Sequence, residues 1–100
     1  MDKEVHAKKQ ARNIILDSLN LIYPNAMRMA SLNRCVLGLI PAYDIGLLER
    51  DVYYLKEKGY LKAPSDEMDR MLPLKNRFVK LTARGKEIAD DIINDPAIEI

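Results

Sequence analysis

The segment from Asp44 to Gly59 has the clearest helical pattern in this sequence. Its apolar residues recur at intervals of three and four, which places them on one side of a helix with 3.6 residues per turn. Asp44 can cap the first turn by accepting hydrogen bonds from its free amides, and Gly59 can adopt the left-handed conformation that ends many helices. We therefore predict a central helix over 44–58 with one buried stripe. This stripe consists of Ile45, Leu48, Val52 and Leu55.

The opposite side of the central helix is expected to face solvent. At about 100° per residue, Arg50 lies at the centre of this side and Tyr53 near its edge, where we expect Tyr53 to pack beneath the following hairpin. Asp51 borders the buried stripe, so we expect it to pair inside the protein. The other residues of the exposed side are Gly46, Leu47, Tyr54 and Glu57.

The length and composition favour one soluble domain over 1–100. One hundred residues suffice for a single modest core, and a hydrophobic content of 48% with 31% charged residues is ordinary for a folded protein. No apolar run approaches the roughly 18 residues that cross a bilayer, and the polar N-terminal segment does not resemble a secretory signal. We therefore expect a cytoplasmic protein that does not enter a membrane.

The sequence contains no pattern typical of catalysis, metal binding or cofactor binding. A lone Cys35 cannot form an internal disulfide, and with a single histidine it makes no zinc ligand set. We expect Cys35 to be a small core residue. There is no Ser-His-Asp or Cys-His arrangement and no glycine-rich phosphate loop. The prediction is a protein that is not an enzyme and holds no cofactor or metal.

Two helices are predicted before the central one. The first covers about 5–22 and carries an apolar stripe. A short extended piece at 26–29 precedes the second, which Ser31 is expected to cap and which runs to about residue 39. Its expected inner face consists of Leu32, Cys35, Val36 and Leu39.

A hairpin and a last helix are predicted after the central one. The hairpin covers about 60–81, with Tyr60 in its core and a long loop that contains two prolines. Thr82 is expected to cap the last helix, over about 83–94. Arg84 and Lys86 fall in its first turn, where the helix dipole disfavours cations. We therefore expect an anion beside them, either a phosphate backbone or the acidic face of a second subunit.

Two stretches of this chain resemble winged helix-turn-helix domains. LERDVYYLKEKGYL at 48–61 is similar to their recognition helix and first wing strand, and FVKLTARG at 78–85 to their second wing strand and following helix. The overall pattern also resembles the small winged-helix proteins of Mu-like phages and prophages. The resemblance implies an α+β, mainly helical fold, with a three-helix core, a β-hairpin wing and an additional C-terminal helix.

This resemblance implies a function as well. In DNA-binding members the third helix enters the major groove and the wing contacts phosphates, so we expect a transcriptional regulator that binds double-stranded DNA sequence-specifically. Arg50 is the expected base reader, by a bidentate contact to guanine, or else a solvated surface charge. The expected recognition-helix contacts are Tyr43, Gly46, Leu47, Arg50 and Tyr54. The expected phosphate contacts are Arg28, Arg34, Lys62, Arg70, Lys75, Arg77 and Lys80.

Acidic residues on the central helix support an alternative. Asp44 and Asp51 are expected to have structural roles, but phosphates would repel Glu49 and Glu57. A helix of mixed charge with exposed apolar residues suits a protein partner, so the alternative is a winged-helix protein–protein interaction module that does not bind DNA.

The terminal helices predict a homodimer. They carry more apolar residues than one small core obviously needs, and helices of this kind can pair across a two-fold axis. The residues expected at the interface are Ile15, Leu19, Ile88, Ile92 and Ile93.

Overall fold

The computed structural model describes residues 2–65 and 70–91, with the side chains from residue 8 onward. It shows a small compact α+β domain that is mainly helical, which confirms the predicted class. The elements are α1 (Asp2–Leu21), β1 (Met27–Arg28), α2 (Met29–Leu37), α3 (Ile45–Glu57), β2 (Leu61–Lys62), a 3₁₀ turn (Leu74–Asn76), β3 (Phe78–Leu81) and α4 (Ala83–Ala89).

The strands form an antiparallel sheet in the order β1-β3-β2. Met27 lies opposite Val79 in one pair, and Leu61 lies opposite Leu81 in the other. Val79 and Leu81 point into the core, because alternate residues of a strand face opposite sides. Tyr60, just before β2, is also buried, as predicted. The sheet therefore closes one side of the helical core.

Helices α1, α2 and α3 pack against one another, and α4 packs back against α1. This packing buries Ile15 and Leu19 completely and leaves Ile88 only 6% exposed. The prediction that these three residues form a dimer interface is therefore wrong, since the apolar stripe of α1 is covered within one chain. Ile92 and Ile93 lie outside the described residues.

Helix α2 begins three residues earlier than predicted, because its N-cap position is Arg28 and not Ser31. The backbone amide of Met29, at the start of this helix, donates a 2.8 Å hydrogen bond to the carbonyl of Arg77, just before β3. This bond satisfies a free amide of the first turn, and Ser31 is not the cap. Met29, Leu32 and Val36 then form the buried stripe. Cys35 is exposed because it falls at the edge of this stripe.

The end of α2 also differs from the prediction. The helix stops at Leu37, so Leu39 lies beyond its inner face and is 66% exposed. Its predicted place in the core is therefore wrong.

Helix α3 closely follows its prediction. The side chain of Asp44 accepts a 2.8 Å hydrogen bond from the amide of Leu47, and Gly59 has a φ of 82°. Leu48, Val52 and Leu55 are buried and Ile45 is half-buried. Local sequence signals are sufficient here because the caps and the stripe belong to one continuous segment.

Helix α4 starts as predicted and ends earlier. The hydroxyl of Thr82 accepts a 3.0 Å hydrogen bond from the amide of Gly85. The helix stops at Ala89 and the chain turns at Asp90 and Asp91, so the predicted helical positions 90 and 91 are wrong. Positions 92–94 lie outside the described residues.

Candidate functional site

A groove of about 460 Å³ lies between α3 and β3. Its floor is apolar, because Met29, Val52 and Val79 line it and are buried beneath it. Tyr53 of α3 and Phe78 of β3 add aromatic rings to its lining. The groove therefore has an apolar base between the exposed side of a helix and the middle strand of the sheet.

The charged residues of the groove are mainly basic. Arg50 and Lys56 lie on α3, and Arg77 is the residue before β3. Glu49 is the acidic residue of the lining. Arg77 Nε donates a 3.0 Å hydrogen bond to the carbonyl of Leu72, which restrains the guanidinium. Three basic groups and one acidic group favour an anion in or above this groove.

Arg50 is held by a buried carboxylate. Its Nε and Nη2 atoms each lie 3.3 Å from Oδ1 of Asp51, whose side chain is fully buried. Arg12 Nε lies 3.9 Å from the same oxygen. The prediction that Asp51 pairs inside the protein is confirmed. The side chain of Arg50 is still 45% exposed, so part of it faces solvent at the groove while it compensates the Asp51 charge.

Tyr43 does not face the groove, contrary to the sequence prediction. Its side chain is buried, and its hydroxyl donates a 2.6 Å hydrogen bond to Oδ2 of Asp51. Burial and this hydrogen bond raise the pKa of Tyr43 above its ordinary value of 10.0. The buried carboxylate needs donors from inside the protein, and Tyr43 supplies one.

Leu47 and Tyr54 are also placed differently from the prediction. Both are half-buried and pack against the core. The guanidinium carbon of Arg12 lies 3.7 Å from the centroid of the Tyr54 ring, so α1 covers this flank of α3. Of the five predicted recognition-helix contacts, Gly46 and Arg50 line the groove.

Sequence reasoning missed three exposed residues of α3 that line the groove, which are Glu49, Tyr53 and Lys56. Tyr53 is 56% exposed, so the prediction that it packs beneath the hairpin is wrong. The missed residues and Gly46 recur at intervals of three and four, which is the spacing of one helical stripe. The sequence therefore contains this stripe. It does not show that α1 covers the flank of α3 that carries Tyr54.

The predicted phosphate contacts are spread over α2, the three strands and the β2–β3 connection. Arg77 lines the groove. The guanidinium of Arg28 lies 5.5 Å from the centroid of the Phe78 ring, which also lines the groove. Lys62 and Lys80 are opposite each other in the β2–β3 pair. The remaining three, Arg34, Arg70 and Lys75, are exposed.

The cations at the start of α4 have partners within the chain. Lys86 Nζ lies 3.0 Å from Oδ2 of Asp90 and 3.0 Å from Oδ1 of Asn20. Hydrogen bonds from Asn20 and Lys86 lower the pKa of Asp90 below its ordinary value. Arg84 lies over the Tyr60 ring, 5.5 Å from its centroid. The predicted need for a phosphate or a second subunit at this place is therefore wrong for Lys86.

Within 2–65 and 70–91, no three His, Cys, Asp or Glu side chains are grouped to hold a metal ion. Over the same ranges, no helix has the length and apolar character needed to cross a membrane.

No family model, curated protein or solved structure matches this chain.

Proposed function

We propose that this chain is a winged helix-turn-helix protein that binds double-stranded DNA sequence-specifically and acts as a cytoplasmic transcriptional regulator. The order of its elements supports this: three packed helices are followed by a β2–β3 hairpin, and β1 joins that hairpin in one sheet. In this proposal α3 is the recognition helix and the hairpin is the wing.

The observation that carries the proposal is the basic groove beside α3. A helix with its side chains is about 10–12 Å across, which matches the width of the DNA major groove. With α3 in the major groove, the adjacent strand of phosphates would run along the space between α3 and the wing. Lys56 and Arg77 line that space and would contact the phosphates.

Arg50 is the residue we assign to base reading. Its contact with Asp51 restrains the guanidinium on the exposed side of α3, which reduces the entropy lost on binding. A bidentate contact to guanine contributes about 1–3 kcal/mol of discrimination. Glu49 opposes binding because it brings a negative charge to the same lining.

The experiment is fluorescence anisotropy with mixed-sequence duplex DNA at 50 and 200 mM salt. We expect affinity to fall steeply with salt. Lys56→Ala/Arg77→Ala removes the two basic residues that line the groove and should reduce the slope of log K against log salt by about 1.8, at about 0.9 per lost phosphate contact. Arg50→Ala should weaken binding most on the preferred sequence, which a selection from random duplexes would supply.

Lys9→Ala is the control, because Lys9 lies on α1 and does not line the groove. It should leave the slope within about half a unit of wild type. Absence of binding at 50 mM salt would overturn the proposal, and so would an unchanged slope in the double variant.

A protein-binding function is the second candidate, and exposed apolar side chains at the groove and on the β2–β3 connection favour it. Tyr53 is 56% exposed, Phe78 is 36% exposed, and Met71 on the β2–β3 connection is 85% exposed. Exposed aromatic and methionine side chains are enriched at protein interfaces. A photo-crosslinking residue in place of Tyr53 should capture such a partner. The same residue in place of the exposed Leu21 is the control and should not capture it.

We also propose that the protein is a homodimer. Since Ile15, Leu19 and Ile88 are used in the core, Ile92 and Ile93 are the remaining candidates for the interface. Truncation after residue 91 should halve the mass measured by light scattering. An unchanged mass would contradict this assignment.

A further inference from the structure

We infer that the groove between α3 and β3 is also a binding site for a small amphipathic anion, namely an aromatic carboxylate or sulfonate. This inference goes beyond DNA binding and does not depend on it. It assigns the groove a ligand of its own, which fits against the floor as well as the rim.

The size and floor of the groove are those of a small-molecule site. Ligand pockets typically have volumes of about 300–1,000 Å³ and are mainly apolar, and this open groove has a volume of about 460 Å³. Met29, Val52 and Val79 form a floor of side-chain hydrocarbon and thioether groups. A phosphate pressed against that floor would lose water without gaining donors there. The floor therefore suits an apolar part of a ligand, and the anionic part belongs at the rim.

The aromatic residues suit a flat ring system. Tyr53 stands on α3 and Phe78 on β3, so the two rings come from opposite walls of the groove. A hydrogen bond to Glu57 raises the pKa of the Tyr53 hydroxyl above its ordinary value. Offset or edge-to-face contact with such rings favours an aromatic ligand over an aliphatic one of equal area.

The rim selects the sign of the charge. Lys56, Arg50 and Arg77 line the groove with Glu49. Because Arg50 compensates the buried Asp51, the excess positive charge of the lining comes from Lys56 and Arg77. Arg77 is restrained by Leu72 and Arg50 by Asp51. Restrained guanidinium groups are well suited to a planar carboxylate or a sulfonate, because little side-chain freedom remains to be lost.

The test uses a matched pair of fluorescent probes. 8-Anilinonaphthalene-1-sulfonate carries aromatic rings and one sulfonate, and N-phenyl-1-naphthylamine has the same rings without the charge. We expect the sulfonate to bind the folded protein saturably with one site per chain. The uncharged probe should bind about five-fold more weakly, as expected from the loss of one partly screened ion pair.

Two exposed groove residues and two matched controls locate the site. Tyr53→Ala should raise the dissociation constant of the sulfonate about five-fold, the size of one aromatic contact, and Lys56→Gln about three-fold. Leu21→Ala removes an apolar group outside the groove, and Lys9→Gln removes a charge there. Each should change the dissociation constant of the sulfonate less than about 1.5-fold. Thermal unfolding of each variant verifies that the fold is intact.

Three results would overturn the inference. They are unsaturable binding of the sulfonate, equal affinity for the two probes, and dissociation constants that neither groove variant changes. The assay contains no DNA, so failure here leaves the proposed DNA binding unaffected, and failure of DNA binding leaves this result unaffected.

Discussion

The hydroxyl of Tyr43 donates a 2.6 Å hydrogen bond to Oδ2 of Asp51, and both side chains are buried. Arg50 contacts the other carboxylate oxygen from the groove side, and Arg12 of α1 lies 3.9 Å from it. One carboxylate therefore links the segment before α3, the exposed face of α3 and α1. The stability of the core and the position of Arg50 depend on the same group.

Removal of the Tyr43 hydroxyl should destabilise the protein. Tyr43→Phe keeps the buried ring and deprives Asp51 of a donor, so we expect the free energy of unfolding at pH 7 to fall by about 1.5–3 kcal/mol. Urea unfolding measures this. The control is Tyr53→Phe at an exposed position, which should stay within about 0.5 kcal/mol of wild type. Equal stabilities of the two variants would show that the buried hydrogen bond contributes nothing.

The same hydrogen bond should make stability depend on alkaline pH. Burial and Asp51 raise the pKa of Tyr43 above 10.0, so folding favours the protonated phenol. Its contribution is complete below the pKa of the unfolded chain and is lost as the pH rises above about 10. Between pH 9 and pH 11, wild type should lose about 1.4 kcal/mol more than Tyr43→Phe. Parallel stability curves for the two proteins would contradict the assignment.

Gly85 and Gly38 should respond in opposite directions to alanine. A Cβ at Gly85 would overlap the backbone carbonyl of Tyr60, which cannot move freely because it accepts a hydrogen bond from Thr82. We expect Gly85→Ala to lower the free energy of unfolding by at least about 2 kcal/mol, although alanine favours helices by about 1 kcal/mol.

Gly38 is the matched control for Gly85. It has a φ of −63°, and the nearest heavy atom to an added Cβ is 3.5 Å away. Gly38→Ala should therefore be neutral or stabilise by up to about 1 kcal/mol. Urea unfolding of both variants measures the difference, and a stable Gly85→Ala would mean that α4 packs less closely on the backbone of Tyr60.

Neutralising Glu49 should strengthen DNA binding. Glu49 lines the groove and would lie near phosphates, so Glu49→Gln should raise the affinity at 50 mM salt about three-fold. Glu87→Gln removes the same charge from the exposed side of α4 and serves as the comparison. The anisotropy assay distinguishes them: an equal gain in both variants would reflect net charge alone, and no gain in either would place the DNA away from the groove.

Most of the helices could be predicted because their signals are local. The caps by Asp44 and Thr82, the left-handed Gly59 and the buried stripe of α3 each depend on residues within a few positions of one another. The start of α2 could not be predicted in this way. It depends on the carbonyl of Arg77, which is 48 positions away from Met29 in the sequence (77 − 29 = 48).

For the candidate site, the amino-acid sequence by itself determined that α3 would form and that Arg50 would lie on its exposed side. Only the tertiary structure decided which flank of that side is open. Helix α1 covers Tyr54 through Arg12, while β3 leaves a groove beside Tyr53 and Lys56. The physical reason is that helix periodicity is a property of one segment, whereas burial depends on which distant segments pack against it.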